Sequence, residues 1–181
     1  KQLKGGLPVI AVRDIAVQER EDDLVLGTFG RGFYVLDDYS PLRQMQEEDL
    51  QVEASIFPVK DGLVFIESTP WGLPGKAFQG DAFYTADNPP MGAVFTYYVK
   101  EEAKTRQDLR REKEKELVKE EKDTPYPSYE ALEAEMREEE PYLLFTIRDL
   151  DGNTIRKLKT GMGKGVKRIS WDGRFPSVEP I

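Results

Sequence analysis

The chain has 181 residues and carries 26 Lys+Arg against 34 Asp+Glu, a net charge of −8. Apolar residues make up 39% and charged residues 33%, against ~45–50% (Gly included) and ~25% in an average globular chain, so one very polar segment beside an ordinary core is expected. The absence of cysteine and histidine excludes a disulfide scaffold, a thiolate metal site and the commonest general base. With no apolar run of ~18 residues and an acidic total, no membrane span, no nucleic-acid partner and no cofactor are expected.

Up to about Arg43 the sequence predicts three short strands. Val12–Val17 alternates apolar and polar until Ala16-Val17, while Asp23–Phe29 and Gly32–Leu36 are short apolar runs. The polar turn 19–22 and the glycine turn Gly30-Arg31-Gly32 separate them, and strands at this spacing form a meander. Asp37-Asp38-Tyr39-Ser40-Pro41 closes the unit.

Residues 44–55 are polar and largely without strand period, so they read as a linker, with room for a helical turn, between a first unit, 1–43, and a second, 56–181. In the second unit Gly62–Ile66 and Ala93–Val99 are predicted strands. Between them, residues 68–92 are dense in Pro and Gly, which predicts loop, with one short strand around Ala82-Phe83-Tyr84.

Composition changes at Lys100. From there to Asp123 nine basic and nine acidic residues alternate without Gly or Pro, which predicts a charged helix over 101–122. Arg110/Glu114 lie at i,i+4, and Glu112/Lys115 and Glu116/Lys119 at i,i+3. Thr124-Pro125-Tyr126-Pro127 breaks the pattern and Ser128 is a good N-cap for a second helix, 128–139, which Pro141 terminates. The two make an αα-hairpin inserted at 101–140. Its apolar stripes, Leu109/Leu117 and Tyr129/Leu132/Met136, are expected to face each other. The strands on either side of the insert are expected to be close in the sheet order.

After Pro141 the β pattern resumes. Tyr142–Asp149, Thr154–Leu158 and Val166–Trp171 read as strands, joined by the hairpin turn Asp151-Gly152-Asn153 and the glycine turn 161–165.

Motifs that tempt a functional reading have blander ones that fit better. Asp149-Leu150-Asp151-Gly152-Asn153 places oxygens at loop positions 1, 3 and 5 of a calcium loop, but positions 6 and 12 hold Thr154 and Thr160 where Gly and Glu are needed. A tight turn is expected. The glycine clusters at 27–32 and 161–165 match neither phosphate-loop pattern and open onto no helix. Adjacent acids such as Asp37/Asp38 point to opposite faces of a strand, so they cannot form a glycosidase pair alone. Trp71 and Tyr84 are candidate contacts for a ligand or partner, although an aromatic covering a sheet end is the commoner role for Trp71. Trp171 reads as core. No catalytic, cofactor-binding or metal-ligating residue is assigned.

Several stretches together resemble a known family. Leu24–Asp38 is similar to the last-blade signature AT-x-GRG-x-W-x-LDD of bacterial BNR/Asp-box β-propellers, sortilin (VPS10)-like proteins labelled glycosyl hydrolases and related to xyloglucanases. Asn88–Tyr98 resembles the NPPxGAxxxYxL strand that follows the propeller in those proteins. Ile147–Arg156 and Ile169–Arg174 resemble their C-terminal Ig-like region, I-x-D-x-x-G-x-x-x-R followed by WDxR.

The resemblance implies a mainly β chain: a partial propeller blade (an antiparallel meander), then an Ig-like or fibronectin-like β-sandwich carrying the inserted αα-hairpin. A blade has four strands, and three are found, so the fourth and the Asp-box repeats are expected elsewhere in a longer protein. The acids that work in the xyloglucanase-like relatives would lie there too. The implied function is a non-catalytic structural or interaction module of a periplasmic or secreted protein, with the rest of its own propeller as partner. The alternative is an accessory segment of a propeller-type glycoside hydrolase, with Trp71 and Tyr84 touching glycan. A third reading makes the helical hairpin the contact surface for another protein.

Overall fold

The computed structural model describes residues 6–66 and 86–177. The fold is strand-rich but mixed, with three small antiparallel sheets and three helices, and none of the sheets closes on itself. The predicted strand at 82–84 and the two aromatic candidates, Trp71 and Tyr84, lie outside the described residues.

The first sheet is a meander of β1 (Val12–Gln18), β2 (Asp23–Thr28) and β3 (Phe33–Leu36), in the order β1-β2-β3. Its second turn closes when the Thr28 N–H and hydroxyl both donate to the Gly32 carbonyl, at 3.1 and 2.6 Å. Register places Ile15, Leu26 and Tyr34 side by side, and Ala16, Val25 and Val35 side by side. Neighbouring residues on a strand point to opposite faces. Leu24, Leu26 and Leu36 with Ile15 and Val17 therefore form one apolar face, and Val25, Val35 and Phe33 with Ala16 form the other. Among the described residues of this sheet only Leu26 is buried. Ile15 is 60%, Val35 54% and Phe33 80% exposed.

The second unit is built on β5 (Ala93–Val99), flanked by β4 (Ala54–Ile56) and β8 (Gly165–Trp171) in the order β4-β5-β8. β-Branched and aromatic residues make β5 a strong strand. Thr96 and Tyr97 point to opposite faces yet both are buried, so the strand is covered on both sides. Val99 is fully buried, and Phe57 continues the β4 pairing by donating to the Thr96 carbonyl at 3.0 Å.

Strands β6 (Tyr142–Arg148) and β7 (Thr154–Gly161) form a separate hairpin sheet. Leu143, Phe145 and Ile147 are half-buried, while Tyr142, Leu144, Thr146 and Arg148 between them are exposed. The rings of Tyr97 and Phe145 meet at 5.0 Å. The strands flanking the insert are thus not neighbours in one sheet, as expected, but sit in two sheets that touch through this aromatic pair.

One further expectation fails. The run 62–66 forms no strand beyond a single bridge, Leu63 to Gly92, because both edges of β5 are already taken by β4 and β8. The stretch read as a linker with room for a helical turn holds a 3-10 turn and the start of a strand. Helix α1 (Ser40–Gln44) begins with Pro41 in its first turn, a 3-10 turn follows at Glu48–Leu50, and β4 starts at Ala54.

The charged insert forms α2 (Arg106–Lys119) and α3 (Tyr129–Arg137). α2 starts later than 101 because Thr105 and Asp108 form a reciprocal capping box. The Ser128 hydroxyl accepts from the Ala131 N–H at 3.2 Å and caps α3. The expected apolar seam is thin at most: Leu109, Tyr129 and Met136 are exposed, and only Leu117 and Leu132 are half-buried. α2 has too few apolar residues to form a stripe, so a charged pair joins the helices instead. The Arg110 guanidinium donates from Nε and Nη2 to the Glu135 carboxylate, at 2.6 and 2.8 Å, and from Nη1 to Glu114 at 2.6 Å. These bonds hold the Glu135 carboxyl below its usual range. They strengthen the hairpin above the ordinary carboxylate pKa and fade as pH falls through the lowered value.

Replacing 101–140 by a short Gly/Ser loop is expected to leave the β sheets folded, at a cost below ~1 kcal/mol, because β5 draws its partners from β4 and β8. Thermal unfolding followed by circular dichroism checks this. Loss of a cooperative transition would make the hairpin part of the core.

Candidate functional site: an acidic cleft at the junction of the two units

The pairing of Leu24 with Leu36 brings the start of β2 beside the end of β3, and so Asp23 beside Asp37. Two turns at this end adopt left-handed backbone at non-glycine residues, Asp22 (φ 56°) and Asp38 (φ 44°). They are tied together by the Tyr39 N–H donating to the Asp22 carbonyl at 2.7 Å and the Asp38 N–H donating to the Asp23 carboxylate at 2.9 Å. Between these turns and the second unit lies a cavity of about 300 Å³. Asp23, Asp37, Asp38, Asp61, Lys60 and Arg168 give it its charge, and Leu63, Pro90, Val94 and Ile169 give it apolar wall.

The sequence reading sent Asp37 and Asp38 to opposite faces of a strand. Both line the cleft, because β3 ends at Leu36 and the left-handed turn at Asp38 takes the chain out of strand geometry. Their roles differ. The Asp38 carboxylate accepts from the Ser40 hydroxyl and N–H, at 2.5 and 3.3 Å, and so braces the turn. No hydrogen bond to the Asp37 carboxyl is found among the described residues. Burial raises its pKa, the neighbouring Asp23 raises it further, and Arg168 and Lys60 oppose the rise.

A carboxyl whose folded pKa is raised contributes stability below its unfolded pKa and loses it as pH rises through the folded value. Asp37→Asn is therefore expected to stabilise the chain at neutral pH by less than ~1 kcal/mol, given solvent screening, and to have no effect in acid. Denaturant midpoints of both proteins at pH 3 and pH 7 check this.

The remaining polar groups serve the backbone. Arg168 donates from both terminal nitrogens to the main-chain carbonyls of Asp37 and Asp38. Lys60 Nζ donates to the Glu21 carbonyl at 2.6 Å and lies 3.4 Å from its carboxylate. At the β6–β7 turn the Asp149 carboxylate accepts from Asn153 N–H and Nδ2, at 2.7 and 3.0 Å, which holds its pKa down. These oxygens close a turn. Among the described residues no group of three or more acidic or sulfur and imidazole side chains could hold a metal ion, and no helix is long and apolar enough to cross a membrane. Trp171, expected in the core, is half-buried and donates from Nε1 to the Arg174 carbonyl at 3.0 Å, because β8 is an edge strand.

The cleft was missed from sequence although one signal was available: hairpin register alone sets Asp23 opposite Asp37. Compared with family models, curated proteins and solved structures, the chain matches none of them.

Proposed function

We propose that this chain is a non-catalytic structural and interaction module: the closing part of a propeller blade, followed by an Ig-like sandwich bearing a helical hairpin, in an exported protein. One observation carries the reading. The β1-β2-β3 meander is apolar on both faces and leaves Ile15, Phe33 and Val35 more than half exposed. A sheet with one solvent face alternates apolar and polar, whereas a sheet apolar on both faces is an interior layer. At ~1.5–3 kcal/mol per fully buried large side chain, covering these residues is worth several kcal/mol to whatever sheets lie on either side. Among the described residues no strand pairs with the outer edge of β1 or of β3, so each can take a further strand. The sequence resemblance to the last blade of Asp-box propellers supplies both the neighbouring sheets and the exported setting.

The cleft fits the same reading. Asp23 and Asp38 are spent on turn hydrogen bonds, and Arg168 and Lys60 on carbonyls, so these four groups hold the chain rather than converge on a substrate.

Reconstitution tests the proposal. The tagged chain is co-expressed with the polypeptide encoded immediately upstream of it, with and without Phe33→Ser and Val35→Asp. A complex that forms with the native chain and is lost in the double variant is expected. No complex, with β5 still protected from hydrogen exchange, would overturn it.

A further inference from the structure

We infer that Arg168 and Lys60 form a two-point clasp that fixes the orientation of the meander on the second unit. Strand packing contributes little to this: the strands of the meander make no extensive contact with those of the second unit, and Ile15, Val17, Phe33 and Val35 stay at least half exposed. Two polar grips cross the junction. Arg168, on β8, grips the carbonyls of Asp37 and Asp38 where the chain leaves β3. Lys60, in a segment anchored by Phe57 to Thr96 and by Leu63 to Gly92, grips the Glu21 carbonyl in the turn before β2.

The two grips fall on two different turns of one end of the meander, so together they restrain rotation where either alone would leave a swivel. Both turns present their carbonyls because Asp22 and Asp38 are left-handed. The targets are main-chain oxygens, so the clasp does not depend on ionised Asp37 or Asp38. The covalent connection between the units, 39–53, carries α1 and one 3-10 turn; its later part is held to the second unit by Ser55 and Lys100 donating to the Asp49 and Gln51 carbonyls, so a swivel released by withdrawing the cations falls at its start, where the chain leaves the meander. A meander seated in a larger sheet assembly would then hold the second unit at a set angle, and loss of the clasp would release it.

Residual dipolar couplings of the intact chain test this. One alignment tensor should fit β1–β3 and β4-β5-β8 together in the native protein and in Asp37→Asn. Arg168→Gln combined with Lys60→Gln should require two tensors, with the slow amide exchange of β5 unchanged. Arg168→Lys, which keeps the charge but cannot span both carbonyls, should fall between. A single tensor in the double variant, or two tensors in the native chain, would overturn the clasp. So would loss of β5 protection in the double variant, because Arg168 would then serve the β5–β8 pairing instead.

Discussion

Tyr97→Ala is expected to destabilise the second unit by ~3–5 kcal/mol, the range for emptying a large aromatic site in a core. Tyr97 is 3% exposed, and its ring meets Phe145 of the β6–β7 hairpin, a contact between that hairpin and the β4-β5-β8 sheet. Only Phe57, Tyr97 and Val99 are buried large apolar residues of this unit among those described, so little else can take up the loss. Chemical denaturation followed by tryptophan fluorescence should show a large fall in midpoint. Tyr97→Phe keeps the ring and should cost less than ~1.5 kcal/mol. Equal costs for the two variants would mean that the hydroxyl, not the ring contact, matters.

Gly92→Ala is expected to be nearly as damaging, by ~3 kcal/mol or more. Gly92 sits just before β5 at φ 95°, and a Cβ there would lie 1.9 Å from the Trp171 carbonyl oxygen and 2.8 Å from the Asp172 Cα. Both obstacles are backbone, so neither can rotate away. The pairing of Ala93 with Trp171 would have to open. Gly152→Ala gives the comparison: its φ is 86° but nothing lies within 4 Å of an added Cβ, so it should cost only ~1 kcal/mol. Thermal melts of the two variants separate the steric from the conformational part.

Legibility from sequence followed how local the cause was. The three strands of the meander, the cap at Ser128 and the turn at Asp149 come from side chains acting within a few residues, and they are where the sequence places them. The run 62–66 looked like a strand because its residues favour one, yet a strand also needs a free edge, and β5 offers none. The helical seam was misread for a similar reason. Leu109 and Met136 have the right spacing, but which face of α2 meets α3 is decided by Arg110, which can reach Glu114 and Glu135 at once. The cleft depended on two left-handed aspartates, Asp22 and Asp38. Nothing in their neighbours announces positive φ, although Asp tolerates that backbone better than most residues. Asp23 beside Asp37 was open to derivation from register, and only the consequence for the Asp37 carboxyl required the cavity itself.

The claim that the meander is an interior sheet meets its most direct test in native-state hydrogen exchange of the chain by itself. With Leu26 the meander's only buried residue among those described, the hydrogen-bonded amides of β2 and β3 should open locally and exchange at least ~100-fold faster than those of Thr96–Val99, which share the stability of the second unit. Equal protection of β2 and β5 in the isolated chain would contradict the account, because the meander would then be stable with little of it buried and would need no neighbours.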